Sequence, residues 1–397
     1  MSIIMLLEGN YPPDIRVENE VKLLTHAGIQ VILLALDKTG KMPLKTEEGL
    51  LTVYRKPISH FVFNLRTNNI SFPVYAKIWS GFIHSVLKNH HADYMHVHDL
   101  PMLRVVNTTN LPEYYPICVD LHENYPIAIQ NYEWATRFPN RFLVRPGRWH
   151  KIERESLKRT NQIIVLSEFY KSQLLEKYEF LTSDQIIVYP NVPDLAYYDN
   201  QKEHGASLDN DQNLPVLTYF GNIALRRGIL TTIQALKLLI ERGIKIKLLL
   251  IGPVDGNEKN YFNPHLQDPE LKPYLEHIQW IDISELASYM QITDFCISPL
   301  VKNAQHESGV ANKVFQYMLF GKPVIVSDCK PQADLIREAE CGVVFKNQDE
   351  KDLADKIQML LKQNNNWNNM GHRAQKIIRE KYNTAIMGRK LLQLYNK

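Results

Sequence analysis

The sequence predicts an α/β protein made of two doubly wound, Rossmann-like domains facing across a cleft, and three observations carry that prediction. The chain is 397 residues long, about the length of two ordinary domains. Short apolar runs alternate with amphipathic stretches, the pattern of parallel strands joined by helical crossovers. The rhythm breaks over residues 197–213, where Tyr-Tyr-Asp-Asn-Gln-Lys-Glu-His-Gly-Ala-Ser-Leu-Asp-Asn-Asp-Gln-Asn is polar and aperiodic. Residues 1–196 are therefore the expected first domain, 197–213 the linker and 214–379 the second domain. A C-terminal helix at about 380–397 is a candidate to pack back on the first domain.

In the first half, strands are expected at Ile3–Leu7, Val31–Leu36, Tyr94–Val97, Ile117–Leu121 and Ile163–Leu166, with a helix over Arg16–Ala27. A second amphipathic stretch, Phe72–Leu87, reads as a crossover helix packed on the core through Tyr75, Trp79 and Phe82. The second half repeats the architecture with strands at Val216–Phe220, Ile246–Ile251, Phe295–Ser298, Pro323–Ser327 and Gly342–Phe345, and helices at Leu230–Arg242 and Asn312–Phe320. Doubly wound domains hold ligands at the C-terminal ends of their strands. The first strand runs into Glu8-Gly9-Asn10-Tyr11-Pro12-Pro13-Asp14 instead of G-x-G-x-x-G, which argues against a dinucleotide site.

Composition removes other classes. Hydrophobic residues are 45% and charged residues 22% of the chain, which is globular and neither disordered nor fibrous. A formal charge of +3 is too mild for a nucleic-acid partner. Cys118, Cys296, Cys329 and Cys341 have no C-x-x-C spacing and read as buried thiols. Met1-Ser2-Ile3-Ile4-Met5-Leu6-Leu7 lacks a basic n-region and a cleavage site, and no stretch of about 18 apolar residues occurs. The expectation is a cytoplasmic protein, which sets aside a periplasmic binding protein.

The candidate site residues lie at strand ends. In the first half these are Asp14 and Arg16 after strand one, His98 and Asp99 in Asp93-Tyr94-Met95-His96-Val97-His98-Asp99, and His122 in Val119-Asp120-Leu121-His122-Glu123-Asn124-Tyr125-Pro126. His96 and His98 share a strand face as a metal pair would, but no third ligand lies at metal-like spacing, so no metal is expected. In the second half Gly221 permits close backbone approach, and Arg226 and Arg227 supply charge where a helix begins. Gly252 and Ile283 lie at further strand exits, and His306-Glu307-Ser308-Gly309-Val310-Ala311-Asn312-Lys313-Val314-Phe315-Gln316-Tyr317-Met318 is a loop leading into a helix. The triplet Asp209-Asn210-Asp211 lies in the polar linker and reads as solvated.

Taken in order from Tyr11 to Ser327, these segments resemble the retaining GT-B glycosyltransferases of family 4 (glycosyl transferases group 1), in a polysaccharide-biosynthesis subgroup. The resemblance implies a GT-B fold and transfer of a hexose-type sugar from a nucleoside-diphosphate sugar, UDP-sugar favoured. The implied acceptor is a glycan or lipid-linked saccharide, no cofactor is needed, and the nucleotide-sugar is a substrate. It also implies roles. His122, Arg227 and Glu307 would be catalytic; Gly221, Asn222, Arg226, Arg227, Gly252, Ile283, Ser308, Gly309, Val310, Lys313 and Gln316 would hold the donor; Asp14, Arg16, His98 and Asp99 would lie on the acceptor side.

The family's E-x7-E carboxylates are replaced here by Ser308 and Gln316, with Glu307 one residue earlier. Two alternatives therefore stay open: a catalytically silent GT-B subunit that binds a partner or glycan, and a sugar-nucleotide 2-epimerase on the same architecture. Trp134, Arg137, Phe138, Arg141, Phe142, Arg145, Arg148, Trp149, Lys151 and Arg154 interleave bases with aromatics. That pattern suits peripheral contact with the inner face of an anionic membrane or a lipid-diphosphate acceptor, and equally a solvated face over a packed one.

Overall fold

The computed structural model describes the chain except residues 60–61, 64–73, 132–134, 136–137, 139, 200–205, 207, 209–212 and 396–397. Trp134, Arg137, Phe72, the triplet Asp209-Asn210-Asp211 and most of the expected linker lie outside the described residues. The chain divides into two compact units, Met1–Pro190 with Met387–Lys397, and Asn191–Ile386. The division falls at Pro190, earlier than 197. Helix Leu195–Asp199 explains the shift, because Tyr198 accepts a hydrogen bond from the Gln316 amide at 2.6 Å and Asp199 pairs with Arg379 at 2.7 Å, both inside the second unit.

In the first unit the described strands are β1 (Ser2–Leu6), β2 (Gln30–Asp37), β3 (Lys45–Glu48), β4 (Leu51–Pro57), β5 (Tyr94–His98), β6 (Ile117–Asp120), β7 (Gln162–Val165) and β8 (Ile186–Val188). They form one sheet in the order β3-β4-β2-β1-β5-β6-β7-β8, parallel except for β3 against β4. β1 and residues 31–37 of β2 are buried throughout, as strands covered on both faces must be. The edge strand β3 is Lys-Thr-Glu-Glu and exposed, so its charges blunt the edge, and its polarity hid it from a search for apolar runs.

Helix α1 (Ile15–His26) begins where Asp14 accepts from Val17 N at 3.1 Å while Glu18 accepts from Asp14 N at 2.7 Å, a reciprocal cap. It turns Val17, Glu20, Val21 and Leu24 inward. Helix α2 (Val74–Leu87) buries Tyr75, Trp79, Ile83 and Val86 at helical spacing, which is the expected crossover packing. Two more helices matter below, α3 (Leu100–Asn107) and α4 (Trp149–Leu157).

In the second unit β9 (Val216–Phe220), β10 (Lys247–Ile251), β11 (Leu275–Ile278), β12 (Phe295–Ser298), β13 (Val324–Ser327) and β14 (Gly342–Phe345) make a parallel sheet in the order β11-β10-β9-β12-β13-β14. Strand order reverses around β1 in the first sheet and around β9 in the second, and crevices of doubly wound sheets open at such points. The helices used below are α5 (Ile229–Glu241), α6 (Asn312–Leu319) and α7 (Lys330–Ala339). All four cysteines are buried, unpaired thiols. Among the described residues no helix is long and apolar enough to cross a membrane.

Candidate active site

At the ends of β5 and β6 the first unit gathers charged groups around Asp120. Arg16, the second residue of α1, grips that carboxylate with both arms, Nε to Oδ2 at 2.5 Å and Nη2 to Oδ1 at 2.7 Å, and lies 3.3 Å from Glu20. Its Nη1 donates to the Tyr189 carbonyl at 3.1 Å. The His122 Nε2 lies 2.9 Å from Asp120 Oδ2 and 3.1 Å from His98 Nδ1, and its Nδ1 faces Asp99 at 3.5 Å. Asp99 holds φ 69°, a left-handed conformation rare outside glycine, while its carboxylate accepts the His122 backbone N–H at 3.0 Å.

These contacts set the charges. Burial alone would lower His122, but Asp99 and Asp120 outweigh it and raise the imidazole to about 10. Burial would raise Asp120; Arg16 and His122 outweigh it and hold the carboxyl well below its usual range. Glu20 goes the other way, pushed well up by burial and by Asp120. His122 is therefore an imidazolium at neutral pH, a hydrogen-bond donor and not a base, with its side chain 21% exposed.

The sequence placed Asp14, Arg16, His98 and Asp99 on the acceptor side. Asp99 is partly open, its side chain 33% exposed. Asp14 caps α1, Arg16 is committed to Asp120, and His98 is buried beneath His122. Below His98 stacks His96, ring centroids 4.6 Å apart, and His96 Nδ1 meets the Tyr395 hydroxyl at 2.6 Å across 299 residues of sequence. No local pattern could announce that contact. Sequence spacing also gave the two histidines no third ligand, whereas the fold adds Glu20 and Asp120 and brings one ligand atom of each residue within 4.8 Å of the others. Arg16 is the cation that balances this group.

The second unit's candidate groups collect at the ends of β9, β10 and β12. Gly221 (φ 132°) and Gly252 (φ 141°) follow adjacent strands, and a Cβ on Gly252 would lie 2.1 Å from the Gly221 carbonyl oxygen. A Cβ on Gly221 would lie 2.8 Å from Lys313 Nζ, so this glycine makes room for the lysine. Lys313 Nζ lies 3.6 Å from the centre of the Tyr219 ring, and the Tyr219 hydroxyl donates to the Asn222 carbonyl at 2.7 Å. Arg226 and Arg227 form a short 3-10 turn before α5. Burial, then Arg227 and Arg226, pull the Lys313 amine well below an ordinary lysine. Positive charges thus act on one another here, the reverse of the first unit.

Helix α6 begins after Ala311, which supplies no capping side chain, and among the described residues no acceptor is recorded for the N–H groups of Gly309 and Val310. Open N–H groups at a helix start beside three cations make an anion cradle. His306 belongs to the same cluster although sequence reasoning gave it no role. Its Nδ1 lies 2.6 Å from the Val301 carbonyl, and burial, with Arg227, Arg226 and Lys313, lowers it to about 4. It is neutral, with Nε2 buried and unbonded.

The expected catalytic residue Glu307 and the expected donor residues Ser308 and Gln316 are engaged elsewhere. Glu307 accepts from Lys330 N at the start of α7 at 3.3 Å and lies 3.9 Å from Lys302. The Ser308 hydroxyl donates to the Gln305 carbonyl at 2.7 Å, and Gln316 donates its amide N–H to Tyr198. Ile283 opens a short 3-10 turn capped by Asp282.

Comparison with known proteins places both units. A family profile described as Glycosyltransferase Family 4 matches residues 15–197, and one described as Glycosyl transferases group 1 matches residues 200–377. The chain is 24% identical over 250 residues to a capsular polysaccharide biosynthesis glycosyltransferase, CapM, of Staphylococcus aureus, a match covering 62% of this chain and 58% of that one. Among solved structures, sucrose-phosphate synthase from Thermosynechococcus elongatus aligns with a TM-score of 0.76 at 18% identity, over 100% of this chain and 98% of that one. An Anabaena protein, HepE, in complex with UDP aligns with a TM-score of 0.72 at 14% identity, over 100% and 99%. The α/β units, their strand-end sites and these matches together identify the chain as a GT-B glycosyltransferase of family 4.

Proposed function

We propose that this glycosyltransferase moves a hexose-type sugar from a UDP-sugar to a saccharide or lipid-linked acceptor in surface polysaccharide synthesis, with retention of configuration and without a metal. The observation that carries the reading is the second unit's cradle. Arg226, Arg227 and Lys313 stand together at the uncapped start of α6 beside the close-packed turns of Gly221 and Gly252. A nucleoside diphosphate brings negative charge to this cluster, and side-chain cations with backbone N–H groups then stabilise it as it leaves. HepE was solved with UDP, which supports uridine as the base. The charged His122 would donate a hydrogen bond to a hydroxyl of the transferred sugar or the acceptor.

Phe138 and Phe142, which are 80% and 60% exposed, stand with Arg141 and Arg145 on the first unit and would rest on the inner face of an anionic membrane. The test is a panel of UDP-, GDP-, ADP- and TDP-sugars with a saccharide acceptor and EDTA, followed by NMR of the new glycosidic bond. Transfer from a UDP-sugar with the donor's anomeric configuration supports the reading. Inversion, or a requirement for Mg²⁺, contradicts it. Donor binding without any turnover would favour the silent-subunit alternative, and conversion of the donor alone the epimerase.

A further inference from the structure

The sequence placed His98 on the acceptor side, but its side chain is 1% exposed and has no surface to offer a substrate. Its Nδ1 meets His122 Nε2 at 3.1 Å and lies 3.6 Å from Asp120 Oδ2, while its Nε2 is buried and has no hydrogen-bond partner. Buried polar atoms normally find partners, and an apolar side chain would fill the same place without an orphaned nitrogen. The ring is explained by what its other nitrogen does.

The His122 imidazolium carries a proton on each nitrogen, so its Nε2 donates and His98 Nδ1 accepts. Burial lowers the His98 imidazole below its usual value, so that ring is neutral and its one proton sits on Nε2. The two rings are T-shaped, centroids 5.2 Å apart and planes 62° apart, a nitrogen-to-nitrogen contact and not a face-to-face one. Asp120 Oδ2 lies 2.9 Å from the same His122 nitrogen but also receives Arg16 Nε. His98 from the end of β5 and Asp120 from the end of β6 therefore bracket one N–H. Asp120 sets the charge of the His122 ring, and the neutral His98 adds a directional lone pair. The accepting ring is itself held, stacked on His96, whose Nδ1 meets the Tyr395 hydroxyl.

We propose that His98 is a positioning residue for glycosyl transfer: its Nδ1 accepts the His122 Nε2–H and so turns the His122 Nδ1–H towards the substrate hydroxyl beside Asp99. That second nitrogen faces the partly open Asp99 side chain at 3.5 Å. The role rests on the reading above that His122 donates to a hydroxyl of the sugar or the acceptor. His98 acts from beneath and touches no substrate. A donor held a fraction of an ångström off line costs turnover more than affinity, because its hydrogen bond strengthens as the reaction proceeds.

The tautomer is read by ¹⁵N NMR of the full wild-type chain labelled at histidine, with His98 assigned by the signals lost in His98→Asn. A bare Nδ1 and a protonated Nε2 on His98, with both His122 nitrogens protonated, is the expected result; a proton on His98 Nδ1 overturns the proposal. Kinetics then separates positioning from packing, with UDP release from UDP-glucose as the probe reaction. His98→Leu should lower kcat about tenfold or more while the donor KM moves less than about twofold. His98→Asn places Oδ1 where Nδ1 stands and should recover kcat to within about threefold of wild type. His98→Gln keeps a polar side chain but carries its amide one bond further, and should stay as low as His98→Leu. Full kcat in His98→Leu and His98→Gln, or His98→Asn no more active than they are, overturns the proposal. His122→Ala separates the failures: if it is as active as wild type, the reading of His122 falls and the role of His98 with it. If His122→Ala is inactive while His98→Leu keeps full kcat, the role of His98 alone falls. Wild type inert on UDP-glucose counts against the donor reading, and the NMR result, which needs no substrate, still decides for His98.

Discussion

The two units share a fold plan and treat charge in opposite ways. Around Asp120 each charge meets a counter-charge within the protein: Arg16 against Asp120 and Glu20, and His122 against Asp120 and Asp99. Around Lys313 the charges that act on the amine are Arg227 and Arg226, and all are positive. The first arrangement is complete without a ligand and serves to fix the direction and protonation of one imidazolium. In the second, positive neighbours and burial oppose the charge on the lysine. One site is preorganised by its own ion pairs, and the proposed nucleotide site would gain from its substrate's charge.

That contrast can be broken most severely at Arg16. Arg16→Met takes from the buried Asp120 carboxylate its two-armed cation and should cost about 3–5 kcal/mol in urea unfolding, with Arg16→Lys a poor substitute for that contact. His122 gives the next effect. Because its pKa is raised from 6.5 to about 10 in the fold, its stabilisation is fully present below pH 6.5 and is lost as pH rises towards 10. Unfolding free energies across that window should fall by on the order of a few kcal/mol, and His122→Gln should flatten the curve.

In the second unit the same kind of truncation should spare the fold and cost ligand. Arg227→Ala should weaken nucleoside-diphosphate binding by about 10–100-fold in calorimetry while moving stability by less than about 1 kcal/mol. Tyr395→Phe sharpens the comparison from the other side. It removes the partner of His96 and should cost about 1 kcal/mol with no change in nucleotide affinity. The smallest effect on stability is expected for Lys313→Met, which removes a cation from a positive field and should leave stability within about 0.5 kcal/mol or raise it.

Much of this was legible because the informative residues sit at strand ends. Gly221, Gly252, His122 and Arg227 are local features, each following an apolar run that folds as the expected parallel strand. The polar edge strand β3 and the short β8 and β11 lacked the long apolar runs that a sequence search uses. Contacts between distant segments were out of reach. Glu20 reads as one more charge on an amphipathic helix until α1 packs beside β5, and Tyr395 reads as a tail residue until its hydroxyl meets His96. Gln316 illustrates a different limit. Its position on α6 was found correctly, but its partner Tyr198 lies in a stretch that polarity had marked as the start of a linker.

The most direct test of the central claim, that the second unit's cationic cradle receives a nucleoside diphosphate, is calorimetric titration of the full chain with UDP in EDTA. The account predicts saturable binding without divalent metal, weakened at least about tenfold by Arg227→Ala and unchanged by Tyr395→Phe. No binding of UDP, or equal binding by the wild type and Arg227→Ala, would contradict it.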